Sequence, residues 1–389
     1  MDKLWTRSFL NICASNFLMF YAFYLVFPVL PLYIIEQFKV NSTITGLVLS
    51  TYMVGSLLCR PFAGYLVDTF SRKPLYLVTF ALFTCVFAGY LIAITLALLA
   101  LTRLIHGLSF GLVTTASNTI AVDVLPSSRR GEGIGYFGVA TNIAFALGPM
   151  TGVFVFENYG FNAVFMVSLV ISLIGLLLVL PLKIPVKRPK EGARPISLDR
   201  FFLTNAVPQF LCLVVIGFSY GPVINYITLY GKEIGISESV GYFYAFLAVG
   251  LIISRLFSGK LIDKGYLTRL ILVGTVILTF TFAVLGLFPN PVVFFAAAFF
   301  IGLGNGMVCP SYQNLFVNMA RHNQRGTASS TYLSAWDVGI GIGILSGGYI
   351  AEKFSYGIVF VMGALGIALS LLLFHKVGAP HYEKNRLYP

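Results

Sequence analysis

Charge is what this chain has least of. Only 10% of its 389 residues are Asp, Glu, Lys or Arg, against roughly a quarter in an ordinary soluble domain, so a water-exposed globular surface is excluded. Acids are the scarcer sign, 14 against 26 Lys and Arg, which gives a formal net charge of +12. The basic residues do not gather in a segment of their own. They are sorted by loop, which argues against nucleic acid as a partner. Histidine occurs four times and cysteine five times, with no CxxC or Cys/His spacing, so neither a disulfide framework nor a zinc site is expected. There is no nucleophile elbow, no glycine-rich phosphate loop and no cluster of metal ligands. The chain is therefore not expected to be an enzyme or to need a cofactor or metal. The first apolar run lacks the short core and small-residue cleavage site of a cleavable signal.

Long hydrophobic runs fill the space that charge leaves. Apolar residues make up 58% of the chain, in stretches of about 20 residues, the length that crosses a hydrocarbon core as a helix. Runs this long without strand-like alternation indicate helices rather than a barrel. Twelve spans are predicted, at 9–35, 44–66, 74–93, 95–121, 132–156, 162–182, 201–229, 239–261, 269–288, 291–317, 327–351 and 356–375. With the N-terminus cytosolic, Lys3, Arg7, Arg72, Lys73, Arg129, Arg130, Lys260, Lys264, Arg269, Arg321 and Arg325 fall on the inner side. The outer loops then hold only Lys39, Lys232 and Lys353, the asymmetry expected when both termini are cytosolic.

Shifted by 195 residues, the sequence overlies itself. Arg60, Gly64 and Asp68 fall on Arg255, Gly259 and Asp263, Gly107 and Gly111 fall on Gly302 and Gly306, and the register holds through Arg130/Arg325, Gly131/Gly326, Gly152/Gly347 and Glu157/Glu352. Two similar apolar halves point to transport, because membrane carriers commonly form their substrate site where repeats meet. The expected organisation is a six-span bundle over 1–182, a basic proline-rich cytosolic linker over 183–200, a second bundle over 201–376 and a cytosolic tail over 377–389. The linker is suited to contact with anionic lipid heads.

Three local patterns carry more. Between spans 2 and 3 stand Arg60, Gly64, Asp68, Arg72 and Lys73, and the second half repeats Arg255, Gly259 and Asp263. Gly64 lets another helix approach closely, and Asp68 at a helix end is placed to accept hydrogen bonds from the free amides of a neighbouring helix N-terminus. Span 5 carries Gly148, Pro149 and Gly152, in which the proline ring bends the helix and the glycines leave a face for close packing. Span 4 carries Arg103, His106, Gly107 and Gly111. With twelve spans, the duplication and the basic central loop, these patterns make the chain resemble the major facilitator superfamily over essentially its whole length, and most closely its twelve-span drug or metabolite:proton antiporters. Thr69 and Ser71 depart from the superfamily's loop motif, where a basic residue and a glycine are usual.

The resemblance implies an all-α membrane protein of two pseudo-symmetric six-helix bundles, with the 60–73 and 255–263 loops acting as a conformational latch and the Gly148–Gly152 segment as an antiporter-type kink. It places the substrate cavity among spans 1, 4, 7 and 10, where the candidates are Asn16, Tyr21, Tyr24, Asn118, Tyr220, Asn225, Tyr226, Asn305, Tyr312, Gln313 and Asn314. Thirteen of the fourteen acids fall at span ends or in loops, and Asp337 alone lies deep, roughly 15 Å into span 11 at the helical rise. Arg103 and His106 lie roughly 12 and 16 Å into span 4 by the same rise, so the three can share one layer. A buried Asp whose ionisation depends on a neighbouring cation suits proton exchange, and Asn142 is its neutral counterpart in the first half. Each of the three also has a plainer reading. Asp337 can fix helix packing, Arg103 can bind carbonyls of a neighbouring helix, and His106 can be an ordinary hydrogen-bonding residue.

The expected function is proton-coupled export of a small organic compound by a monomer in a bacterial cytoplasmic membrane, with the solute, protons and lipid as its partners. The alternatives are an uptake symporter or uniporter for a sugar-like or carboxylate metabolite, with Arg103 binding substrate, and more remotely a lipid flippase. The loops are too short to hold a signalling domain.

Overall fold

The computed structural model describes residues 3–27, 29–40, 42–182, 184, 201–236 and 241–387. The expected linker at 183–200 lies almost entirely outside them, as does the side chain of Asn225. The described chain is helical, with no strand among the described residues. Its helices are α1 Arg7–Val26, α2 Val29–Phe38, α3 Ser42–Thr69, α4 Arg72–Ile92, α5 Leu96–Val124, α6 Arg130–Leu177, α7 Val207–Glu233, α8 Gly241–Asp263, α9 Leu267–Leu287, α10 Pro291–Met319, α11 Arg325–Lys353, α12 Tyr356–Leu373 and α13 Ala379–Asn385.

Local chemistry sets several of these ends. Thr6, Thr95, Asn290 and Ser355 precede α1, α5, α10 and α12, and each accepts a hydrogen bond from the amide three residues on, at 3.0–3.3 Å. These side chains satisfy amides that the first helical turn cannot. Pro291 follows Asn290 at the start of α10, where its missing amide costs nothing. The predicted first span is two helices, α1 and α2, interrupted around Phe27, next to Pro28, which brings no amide to an α-helical ladder. Spans 5 and 6 are the two limbs of α6, which breaks at Gly160 (φ 79°). That left-handed conformation favours glycine, and the break lies well beyond Pro149.

Eleven helical stretches among the described residues are long and apolar enough to cross a membrane, including Phe154–Leu177 of α6. At the other end of the chain the expected tail is helical. A π-turn at Phe374–Gly378 carries α12 on into α13.

The chain divides into two compact units. Unit one is Met1–Ser127, Ala140–Phe202 and Gln324–Ser330, and unit two is Ser128–Val139, Leu203–Asn323 and Thr331–Pro389. The first turns of α6 and α11 thus group with the opposite half from the one that the sequence order assigns. In unit one α3 packs most extensively on α5, and in unit two α8 packs on α10. Gly107 and Gly302 make the two pairs alike, since a Cβ at either would collide with a backbone carbonyl, of Tyr52 or of Leu247. With no hydrophobic drive between helices in lipid, such close backbone contact is what holds them. Tyr76, Phe80, Phe83, Phe87 and Tyr90 bury one face of α4 in unit one, and in unit two Tyr230, Phe243, Phe282, Phe294 and Phe360 are buried aromatics drawn from five helices, α7, α8, α9, α10 and α12. The outer faces carry exposed Leu58, Phe62, Phe154, Met166, Phe280 and Leu345, an apolar surface suited to lipid.

Candidate functional site

The best-defined polar constellation lies at the end of α3 in unit one. Both carboxylate oxygens of Asp68 are used: Oδ1 accepts from the Gly326 amide at 2.9 Å and Oδ2 from the Thr327 amide and hydroxyl at 2.8 and 2.9 Å. These amides open α11 and have no partner within their own helix, and the helix dipole adds to the attraction for a carboxylate. Gly64 permits the approach, because a Cβ there would lie 2.9 Å from both the Ser330 Cβ and the Thr327 Cα. The Ser330 hydroxyl donates to the Arg60 carbonyl, and the Arg60 guanidinium donates to the Thr114 hydroxyl at 2.7 Å. Arg72 pairs with Asp123 and reaches Asp68 at 3.7 Å, and Arg325 reaches Asp123 at 3.1 Å. Lys73 stands apart from this cluster and donates to the Leu180 carbonyl at 2.7 Å.

Unit two holds a second copy. Asp263 accepts from the Gly131 and Glu132 amides at 2.7 and 2.9 Å, and a Cβ on Gly259 would lie 2.6 Å from the Glu132 Cα. Arg255 lies against Gly138, and Glu132 pairs with Arg129 at 2.7 Å. Here the ion cluster is thinner. The repeat replaces Arg72 by Leu267, Asp123 by Asn318 and Thr327 by Glu132.

Deeper in unit one, Arg103 is buried, donates to the Leu49 carbonyl at 3.2 Å and lies 4.7 Å from the centre of the Tyr52 ring. His106, 1% exposed, has its Nδ1 2.7 Å from the Tyr90 hydroxyl. The rings of Phe23, Tyr52, Phe83, Phe87 and Tyr90 surround it at 4.9–5.8 Å. Asn16 joins three helices, donating to Thr141 at 2.8 Å and accepting from Ser117 at 3.0 Å, and Tyr76 extends the string to Ser117 and Ser15. Tyr21 meets Thr151 at 2.7 Å. Tyr24 packs on Phe145 and against Gly148, while Gly152 abuts the Leu25 backbone. Asn118 turns its amide to the Thr114 carbonyl on its own helix.

In unit two, Asp337 is half-buried on α11. Tyr220 packs on Trp336 and Tyr226 donates to the Ile344 carbonyl at 2.7 Å. Asn305 and Gln313 are buried, and Asn314 donates to the Pro310 carbonyl. Tyr312, expected to line a cavity, is fully buried with its ring against Phe374. Arg103 and His106 belong to unit one and Asp337 to unit two, and the partners described for the first two all lie in their own unit. Sequence reasoning did not single out Asp123, Tyr90, Tyr52, Ser117 or Thr141. For Asp123 the repeat offers a signal, since its counterpart, Asn318, has lost the charge.

A profile of the Major Facilitator Superfamily matches residues 12–344. The chain belongs to this superfamily. As a Major Facilitator Superfamily protein it is an integral membrane transporter and not an enzyme. Its relatives include the multi-drug resistance efflux pump PmrA of Streptococcus pneumoniae, 25% identical over 371 residues with 92% of each chain covered. Another is the multidrug resistance protein MdtG of Escherichia coli, 24% identical with 99% of this chain and 96% of the relative covered. Among solved structures, the human organic anion transporter MFSD10 superposes with a TM-score of 0.81 at 18% identity, covering 94% of this chain and 98% of that one. The fucose:proton symporter FucP of E. coli superposes with a TM-score of 0.78 at 16% identity, covering 94% and 97%. Both superpositions place this chain in the superfamily's fold.

Proposed function

We propose that this transporter exports amphipathic, cationic or polar organic compounds in exchange for protons, by alternating access, as a monomer in a bacterial cytoplasmic membrane with both termini inside. Asp337 is the coupling acid. The observation that carries this reading is the placement of Asp337, half-buried thirteen residues into α11, roughly 18 Å from the helix start by the helical rise. An ionisable group deep in a span is a candidate functional residue by default, and Asp337, unlike Arg103, is only half-buried. Near full-length similarity to multidrug efflux proteins supports export over uptake. Asn16, Tyr21, Tyr24, Asn118, Tyr220, Tyr226, Asn305, Gln313 and Asp337 stand as candidates for the solute path. Arg103 and His106, tied to Leu49, Tyr52 and Tyr90, serve the packing of α3, α4 and α5. Asp68 and Asp263 act as the two halves of a conformational latch.

Proteoliposomes with an imposed pH gradient test the proposal. A panel of cationic, neutral and anionic solutes is added while internal pH is followed, for the native chain and for Asp337→Asn. Solute-driven proton release in the native protein, lost in the variant, is the expected result. Equal solute movement without a gradient and in the variant overturns the coupling assignment. Gradient-driven accumulation of a sugar or carboxylate, in the same direction as the protons, identifies an uptake symporter instead.

A further inference from the structure

The two units close the ends of equivalent helices by different means. In unit one the end of α5 is held by charge, through Asp123 between Arg72 and Arg325. In unit two the equivalent helix is α10, and 195 residues on from Asp123 and Arg72 stand Asn318 and Leu267, so that ion cluster has no copy there. The last four carbonyls of a helix have no partner within it, and two of those of α10 accept from residues elsewhere in the chain. The Asn318 carbonyl accepts from the Leu387 amide at 2.8 Å and the Met319 carbonyl from the Asn205 side chain at 3.1 Å. The Asn318 side chain donates to the Tyr382 hydroxyl at 3.1 Å.

Tyr382 is 2% exposed. The path to it is fixed as well. Gln209 on α7 donates to the Gly378 carbonyl at 2.7 Å and lies 3.2 Å from His381 Nδ1, and Phe374 packs on Tyr312 of α10. The segment therefore touches α7 at Gln209 and α10 at Tyr312 and Asn318.

We propose that α13 is a clamp for α10. Through the Tyr382–Asn318 hydrogen bond and the Leu387 amide it holds the end of α10 in unit two, the task that the Arg72–Asp123–Arg325 cluster performs for α5 in unit one. Tyr382 and Asn318 are positioning residues for the helix that carries Asn305 and Gln313. The neutral bond suits a helix end that must be released and re-formed, because breaking it leaves no uncompensated buried charge, as parting Asp123 from its arginines does.

The test is amide hydrogen exchange on the full-length protein in lipid nanodiscs, with no solute required, so its result is independent of what the protein transports. Tyr382→Phe should accelerate exchange in both the 314–320 and 379–387 segments, by about fivefold, the worth of one neutral hydrogen bond. Asn318→Leu should match it, and the double variant should be no worse than either single one, because both remove the same bond. Asn318→Asp, whose carboxylate can accept from the tyrosine hydroxyl and so re-forms the bond in the reverse direction, should keep the native rate at 314–320. Acceleration confined to 379–387, or independent additive effects of the two single variants, overturns the clamp. So does free exchange of 379–387 in the native protein.

Discussion

Asp68 and Asp263 stand 195 residues apart in the sequence and make the same contact. Each ends one helix and accepts two hydrogen bonds from the opening amides of another, at 2.9 and 2.8 Å for Asp68 and at 2.7 and 2.9 Å for Asp263. The copies differ in reinforcement. Asp68 also receives the Thr327 hydroxyl and has Arg72 nearby, whereas Asp263 has Glu132 beside it.

Asp68→Asn should therefore cost more than Asp263→Asn. Hydrogen bonds to a charged group contribute about 1.5–3 kcal/mol each, and the first variant weakens three such bonds where the second weakens two. Thermal unfolding in detergent should rank the native protein above Asp263→Asn and Asp263→Asn above Asp68→Asn. Solute export should fall in the same order.

The close approach at each contact is set by a glycine. At Gly64 a methyl group meets a Cβ and a Cα at 2.9 Å, and at Gly259 it meets a Cα at 2.6 Å and a carbonyl oxygen at 2.7 Å. Overpacking of this kind costs about 1–3 kcal/mol. Gly64→Ala and Gly259→Ala should each lower the melting temperature, and Gly259→Ala should do so by more, because its nearest neighbours are all backbone and lie closer, at 2.6 and 2.7 Å against 2.9 Å.

Asp123 compensates two buried arginines at once. Asp123→Asn should destabilise by about 3–5 kcal/mol, the usual result of leaving a buried charge without its partner. The pair Asp123→Asn and Arg72→Leu reproduces the combination that the second repeat carries as Asn318 and Leu267. The double variant should recover part of the loss, and a double-mutant cycle on unfolding free energies reads the coupling.

His106 fills a space between five rings and meets Tyr90. His106→Ala should destabilise by about 2–4 kcal/mol through the cavity and the unpaired hydroxyl. His106→Gln, whose amide can pair with Tyr90, should be milder. In both, the pH dependence of transport per folded molecule should match that of the native protein. An altered pH profile in His106→Gln would return this residue to the proton path.

Much of the fold was legible because membrane insertion makes hydrophobic length informative. The long runs predict the helices, and the 195-residue register predicts that Asp68 and Asp263 do equivalent work. Breaks inside runs were harder to read. The break near Pro28 falls inside the predicted first span of 9–35, whereas the one at Gly160 falls in the gap predicted between spans 5 and 6. The apolar stretch at the end of α12 gives no sign that the helix continues through a π-turn, because that extension depends on Gln209 and Asn318, far away in sequence. Residues such as Tyr90 and Thr141 look like ordinary packing positions until their partners are known.

The sequence by itself determined that the chain is helical, lives in a bilayer, repeats itself and carries an acid at one equivalent helix end in each half, Asp68 and Asp263, placed to meet another helix. Those properties follow from composition, run length and spacing, which are local or periodic. Tertiary structure alone decided that Arg103 and His106 are sealed among α3, α4 and α5, that Asp123 joins two arginines and that the C-terminal segment caps α10. A polar side chain in an apolar helix must find a partner, and which one it finds depends on which helices pack against it.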